Sequence, residues 1–131
     1  MWEFMKTYLV AFGVFAAVEG TWLTLIAKDF YQKQIGYIMS SSPKIVPTVF
    51  FALIFIVGLV FFVISPALAK DSWKYAVLVG LLFGLVSYST YDLTNLATLE
   101  GWPSIVSIVD LIWGATMSAL VSTISFFILK R

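Results

Sequence analysis

The sequence predicts an all-α membrane protein in which four transmembrane helices form an antiparallel bundle. Of its 131 residues, 61% are hydrophobic and only 11% are charged, whereas a soluble domain carries about 25% charged residues. A transmembrane helix needs about 20 mainly apolar residues, and four segments qualify, at about 7–27, 45–65, 75–99 and 104–129. We therefore expect residues 1–131 to form a single transmembrane domain in a lipid bilayer.

The rest of the composition excludes several classes of function. The formal net charge is +1, and a protein that binds nucleic acid needs a basic face. The chain has no histidine and no cysteine, which excludes disulfides, haem or zinc sites built from these residues, and catalysis by either side chain. We expect no cofactor, and the only metal that the sequence leaves open is a cation held between carboxylates.

The first apolar segment lies where a secretory signal peptide would also lie. Glu3 before the apolar run and Glu19 after it both disfavour a signal peptide. Phe15 would also place a bulky ring at the −3 position of the one plausible cleavage site, after Ala17. We therefore expect this segment to remain in the protein as the first span.

The connection between the first two spans, KDFYQKQIGYIMSSSPK, carries an apolar stripe. Phe30, Tyr31, Ile35 and Ile38 fall near one face at helical spacing, which predicts a short helix lying in the membrane interface. An ordinary exposed loop is an equally good interpretation. The other connections, 66–74 and 100–103, are predicted to be tight turns, and the uncharged second span is predicted to be a scaffold that faces lipid.

Lysine and arginine predict the orientation. With four spans, the positive residues of one side outnumber those of the other: Lys6, Lys70, Lys74, Lys130 and Arg131 against Lys28, Lys33 and Lys44. The positive-inside rule then places both termini in the cytoplasm. The aromatic residues of the opposite side form an outer interfacial belt: Phe30, Tyr31, Tyr37 and Trp102.

Three acidic residues, Glu19, Asp92 and Asp110, lie inside the predicted spans. Each costs roughly 2.5–3.5 kcal/mol at a helix centre even on lenient insertion scales, while each leucine or phenylalanine returns only about 0.3–0.6 kcal/mol. No lysine or arginine lies inside a span to neutralise them. We therefore expect some of these carboxyls to be protonated, or a cation from outside to join them.

The three acids are predicted to share one depth. The turn EGWP is short, so the third and fourth spans are antiparallel neighbours. Asp92 and Asp110 lie about nine residues before and after the middle of this turn. Counted from the predicted span ends at 99 and 104, at 1.5 Å per residue, both lie about 9–10 Å below the outer surface. Glu19 lies about 12 Å below the outer end of the first span. The sequence therefore predicts one polar pocket in the outer half of the bilayer.

The neighbours of the acids repeat a local pattern. Residues at i and i+3 share a helix face, and at i+3 from Glu19, Asp92 and Asp110 stand Trp22, Asn95 and Trp113. Hydroxyl groups lie on the face of the third span that carries Asp92 and on the face of the fourth span that carries Asp110. The candidate ligand- or proton-binding residues are Glu19, Asp92, Asp110, Asn95, Trp22, Trp113, Tyr88, Ser89 and Ser107.

Small residues lie beside these faces and allow helices to approach closely. The stretch GLLFG, from Gly80 to Gly84, matches the GxxxG pattern. We favour packing within the chain, and a homodimer through this motif stays open.

The stretch YDLTNLATLEGWP, the acid and tryptophan of the first span, and DLIWG in the fourth resemble a family of small bacterial membrane proteins known as domain of unknown function 2177. The resemblance covers essentially the whole chain and implies a four-helix protein of the bacterial cytoplasmic (inner) membrane. The matching positions are Tyr91, Asp92, Thr94, Asn95, Trp102, Pro103, Asp110, Trp113 and Gly114. It implies no activity, so the function has to be inferred from the residues.

The favoured hypothesis is proton-linked transport or export of a small cationic solute. Neighbouring carboxylates in a low dielectric cannot all be ionised, so an entering cation would displace protons, and the ring faces of Trp22, Trp113 and Tyr88 could hold an organic cation. The alternative is a structural, binding or sensory subunit in which the acids form a hydrogen-bonded cluster. A lipid-modifying membrane enzyme is the least favoured, because the sequence offers no clear nucleophile and no arginine for a phosphate headgroup.

Overall fold

In a computed structural model that describes residues 1–42 and 44–130, the chain is 88% helical and these residues form no strand. Four helices are long and apolar enough to cross a membrane: Trp2–Ile26, Ile45–Lys70, Trp73–Thr98 and Ser104–Leu129. We call them the first to fourth spans. The predicted all-α, four-span fold is confirmed.

The first and second spans each contain a π-helical turn. The first span is α-helical over Trp2–Thr21 and π-helical over Trp22–Ile26. The second is α-helical over Ile45–Leu59, π-helical over Val60–Ile64 and α-helical again over Ser65–Lys70. Pro66 explains the second π turn, because it has no N–H to donate to the carbonyl of Phe62. That carbonyl instead accepts a hydrogen bond from the Tyr75 hydroxyl at 3.3 Å.

The predicted short helix of the first connection is present over Lys28–Ile35, and a 3₁₀ turn over Gly36–Ile38 follows it. We call Lys28–Ile35 the loop helix, and the side of the bundle that carries it the loop-helix end. The opposite side, where the first span begins and the fourth span ends, is the terminal end. The connection predicted at 66–74 is shorter than expected, since Pro66 to Lys70 continue the second span and only Asp71, with a φ of 49°, and Ser72 turn the chain.

The third and fourth spans form the predicted hairpin and make the most extensive contact in the bundle. A Cβ on Gly84 would lie 2.0 Å from the Gly114 carbonyl oxygen, and a Cβ on Gly114 would lie 2.3 Å from the ring of Tyr88. A Cβ on Gly80 would lie 3.1 Å from Cα of Ala119. The two glycines of GLLFG therefore face the fourth span of the same chain.

An apolar core fills the bundle between the acids and the terminal end. The second span contributes one fully buried face, which includes Ile56, Leu59 and Val60, while Ile54 and Phe61 on its other face are exposed. This buried face packs with residues of the first and fourth spans: Ala11, Phe15, Met117 and Val121. The second span therefore exposes one apolar face, in agreement with the prediction that it faces lipid, and also contributes a buried face to the core, which was not predicted from the sequence.

Candidate functional site

The three acids of the spans lie in the half of the bundle nearer the loop helix. Asp92 is fully buried, Asp110 is 6% exposed, and Glu19 is half-buried. Asp92 and Asp110 come from the two helices of the hairpin, and Glu19 comes from the first span, which also contacts the fourth. The hairpin and this contact bring the three carboxyl groups into one cluster, which we call the acid cluster.

Asp92 and Asp110 lie side by side across the hairpin, and their carboxyl groups are close enough to interact electrostatically and to share a hydrogen bond. Apart from the Asp110 carboxyl beside it, with which it can share a proton, neither side-chain oxygen of Asp92 has a hydrogen-bond partner among the described residues. Buried polar groups in proteins are nearly always hydrogen-bonded, so each exception needs an explanation. The Asp92 carboxyl is such an exception, at the most enclosed position of the cluster.

The Asp110 carboxylate accepts a hydrogen bond from the hydroxyl of Tyr31, which the loop helix supplies. Burial, followed by the contact with Asp110, raises the pKa of Tyr31 above its ordinary value of 10.0. Tyr31 is therefore a protonated donor throughout the physiological pH range. The sequence placed Tyr31 in an interfacial belt and missed its role in this site, because its reach to Asp110 depends on how the loop helix folds back.

The two tryptophans predicted beside the acids meet each other. The Trp113 indole N–H donates to Oε2 of Glu19 at 3.2 Å, and the Trp113 ring stacks on Trp22 with centroids 4.3 Å apart and 7° between the planes. Each indole therefore covers one face of the other. This arrangement does not leave room for an organic cation between the two rings, although their outer faces stay open.

Tyr88 lies at the centre of the cluster. Its ring packs on Gly114, and its hydroxyl has Glu19, Asp110, Tyr31 and Asp92 as its charged or ionisable neighbours. Any side chain larger than a hydrogen at position 114 would collide with the Tyr88 ring.

The other predicted polar residues lie at the edge of the site or outside it. Asn95 is half-buried beside Tyr91. The Ser89 hydroxyl donates to the Val86 carbonyl of its own helix at 3.0 Å, so it does not reach the acids.

Ser107 has a connecting role. Its hydroxyl donates to the backbone carbonyl of Asp92 at 3.1 Å and accepts from the indole N–H of Trp102 at 3.1 Å. It therefore ties the fourth span to the backbone of Asp92, not to the carboxyl. Trp102, which the sequence assigned to the outer belt, is 7% exposed and completes this connection.

Within residues 1–42 and 44–130, no group of three or more acidic residues is placed to hold one metal ion. Glu19 already accepts from Trp113 and Asp110 from Tyr31. Of the three carboxyls, that of Asp92 is the one that accepts no hydrogen bond from a described tyrosine or tryptophan.

Of the cavities that adjoin the cluster, two are bordered by its tyrosines. One, of about 550 Å³, lies between the loop helix and the end of the first span and is lined by Leu23, Thr24, Lys28, Tyr31, Gln32 and Met39. The other, of about 300 Å³, is lined by Phe51, Ser87, Tyr88 and Tyr91. Tyr31 and Tyr88 therefore each separate a cavity from the acids.

Residues 4–127 match the model of a family described as "predicted membrane protein (DUF2177)". The match covers nearly the whole chain and agrees with the resemblance in the sequence, so the chain belongs to this family. No curated protein and no solved structure shows significant similarity to the chain.

Proposed function

We propose that this protein carries out proton-linked transport or export of a small cationic solute, and that the Asp92–Asp110 pair is the exchangeable site. The observation that supports the proposal most directly is the Asp92 carboxyl, which is fully buried and has no hydrogen-bond partner among the described residues other than the Asp110 carboxyl beside it. A carboxyl in this position needs a proton, or a cation from outside, as its partner.

The charges around the Asp92–Asp110 pair favour exchange between a proton and a cation. Two carboxylates side by side in a low dielectric do not both ionise, so the pair holds a proton when it is empty. The side chains that bond to the acid cluster or lie beside it include Tyr31, Trp113 and Tyr88, and none of these three carries a positive charge. A cation that enters between the carboxyls stabilises both ionised forms and therefore releases a proton.

The alternative, a structural or binding subunit, is favoured by the bonds from Trp113 to Glu19 and from Tyr31 to Asp110, which join separate helices. A cluster that serves only to fix helix positions would use Asp92 as the protonated partner of Asp110, but the bonds from Trp113 and Tyr31 already join the helices without it. The additional buried acid, Asp92, therefore favours the transport proposal over this alternative.

We also propose that the protein lies in the bacterial inner membrane with both termini in the cytoplasm. The support is the excess of lysine and arginine at the terminal end over the loop-helix end. The acid cluster would then lie nearer the periplasm. A reporter fused after Arg131 that is active only in the periplasm would contradict this orientation.

Proton release tests the transport proposal. We expect purified protein in weakly buffered detergent to release protons when tetramethylammonium, choline, Mg²⁺ or Mn²⁺ is added, for at least one of these cations. Asp92→Asn keeps the shape of the side chain but cannot release a proton, so its release should fall to the background.

The matched control is Asp71→Asn, which removes an acid from the exposed turn at the other end of the bundle and should release protons like the wild type. If wild-type protein releases no protons with any cation of a broader metal and organic panel, the transport proposal is wrong. The structural alternative would then predict that Asp92→Ala lowers the stability by about 1–3 kcal/mol.

A further inference from the structure

The loop helix and the 3₁₀ turn that follows it are held over the acid cluster by one hydrogen bond each. The Tyr31 hydroxyl donates to the Asp110 carboxylate, and the Tyr37 hydroxyl donates to the Gly101 carbonyl at 2.6 Å, in the turn between the third and fourth spans. Only Ala27 separates the loop helix from the π-helical end of the first span. The loop helix itself has no buried residue, so these two bonds, and not a packed core, hold it in place.

Tyr31 stands between the larger cavity and the acids. Its side chain lines the cavity of about 550 Å³, while its hydroxyl contacts Asp110 and lies near Glu19 and Trp22. A solute that moves from this cavity toward the Asp92–Asp110 pair meets the phenol first.

We propose that Tyr31 is an internal ligand of the cation site: its O–H group takes the place of the cation at Asp110, and the loop helix is the cover that carries it. The inference rests on the proposed function, because it names what occupies the site when no solute is bound. The hydroxyl points the positive end of its dipole at the carboxylate, as a cation would. Solute and Tyr31 therefore compete for the same oxygen, and the cover has to shift before the solute binds from the cavity.

Labelling with dicyclohexylcarbodiimide tests this inference without any cation. The reagent is apolar and reacts with protonated carboxyls inside membrane proteins, and mass spectrometry locates the modified residue. Tyr31→Phe keeps the ring but removes the hydroxyl, so the reagent should modify Asp110 about tenfold faster than in the wild type, the equivalent of one hydrogen bond to a charged group. The matched control is Tyr37→Phe, which loosens the loop without freeing Asp110 and should stay within about twofold of the wild type.

Labelling of Asp110 at the wild-type rate in Tyr31→Phe would overturn the inference. Equal acceleration in Tyr31→Phe and Tyr37→Phe would also overturn it, because the loop would then act only as a shield. Thermal unfolding of both variants shows whether they fold; if Tyr31→Phe does not, Tyr31→Leu takes its place in the same comparison.

A second set of samples separates this inference from the proposed function. With tetramethylammonium or Mn²⁺ present, a bound cation should protect Asp110 from the reagent, and at lower concentration in Tyr31→Phe than in the wild type. If neither cation protects any variant, and none from the wider panel does, the proposed function fails, while the labelling difference still decides the role of Tyr31. If Tyr31→Phe needs more cation for protection than the wild type, the hydroxyl helps to bind the cation and does not compete with it.

Discussion

The two halves of the bundle are held together by different interactions. Toward the terminal end, fully buried apolar side chains such as Ile56, Leu59 and Val121 pack against one another. Toward the loop-helix end, hydrogen bonds from Trp113 to Glu19 and from Tyr31 to Asp110 join separate helices, in addition to the packing of aromatic rings. Because lipid is as apolar as leucine, burial by itself does not drive helices together in a membrane. The apolar half therefore depends on shape, and the polar half on directed bonds.

The two halves differ in how easily they can change conformation. Closely packed cores do not deform gradually, and the apolar half has no obvious alternative arrangement. Buried polar groups without a hydrogen-bond partner among the described residues occur in both halves: the Trp22 indole in the polar half, and the hydroxyls of Ser118, Ser122 and Ser125 in the apolar half. The difference is that the polar half carries the loop helix, which has no buried residue. Segments with few buried contacts open at the lowest cost in free energy. We infer that any functional movement takes place in the polar half while the apolar half holds the four spans in position.

The largest expected effect is at the seam that both halves share. A Cβ at position 84 would lie 2.0 Å from the Gly114 carbonyl oxygen and 2.4 Å from Oγ of Ser118. Gly84→Ala therefore has to push the third and fourth spans apart, and we expect a loss of about 3 kcal/mol in the free energy of unfolding, at the upper end of what overpacking usually costs. Reversible unfolding in mixed detergent micelles measures this loss.

Gly13→Ala is the matched control for this substitution. A Cβ at position 13 meets nothing within 4 Å, so the variant should unfold like the wild type or later, since alanine is the better helix former by about 1 kcal/mol. A comparable loss of stability in both variants would mean that the two glycines act through the flexibility of the helix and not through the seam.

The next effect is expected inside the apolar half. Leu59 is fully buried, whereas Val57 on the same helix is 47% exposed. Leu59→Ala removes packing contacts and should cost about 2 kcal/mol, at the lower end for a buried leucine because lipid supplies no hydrophobic driving force. Val57→Ala should change the stability by less than about 0.5 kcal/mol. If the two variants lose equal stability, shape does not hold the apolar half together.

Much of the fold could be predicted because membrane segments are long and uniformly apolar. Counting residues from the short turn before Pro103 also placed Asp92 and Asp110 at one level, since a helix has a fixed rise. The structure brings these two acids together with Glu19, Trp22, Trp113 and Tyr88.

The remaining contacts could not be predicted from the sequence, because residue spacing does not determine which of several partners a side chain will bond. The Ser89 hydroxyl bonds to its own helix and the Ser107 hydroxyl to a neighbouring backbone, although both stand on polar faces. Tyr31 reaches Asp110 only because the loop helix turns back over the bundle. In each case a side chain selects one of several partners, and only the packed structure shows which partner is within reach.

The smallest change in stability is expected at the tryptophan pair, where it separates hydrogen bonding from packing. Trp22 and Trp113 stack on each other. The Trp113 indole N–H donates to Glu19, whereas that of Trp22 has no partner within residues 1–42 and 44–130. Both Trp→Phe substitutions reduce the area of the stacked rings, so the loss of stacking energy should be similar in the two variants. Trp113→Phe should cost about 1 kcal/mol more than Trp22→Phe, the net contribution of one hydrogen bond, as measured by unfolding in the same micelles. Repeating the pair in Glu19→Gln should shrink the difference if the charge of the acceptor strengthens the bond. Equal losses in Trp113→Phe and Trp22→Phe would show that the polar half, like the apolar half, is held by packed surfaces, and the distinction between the two halves would fail.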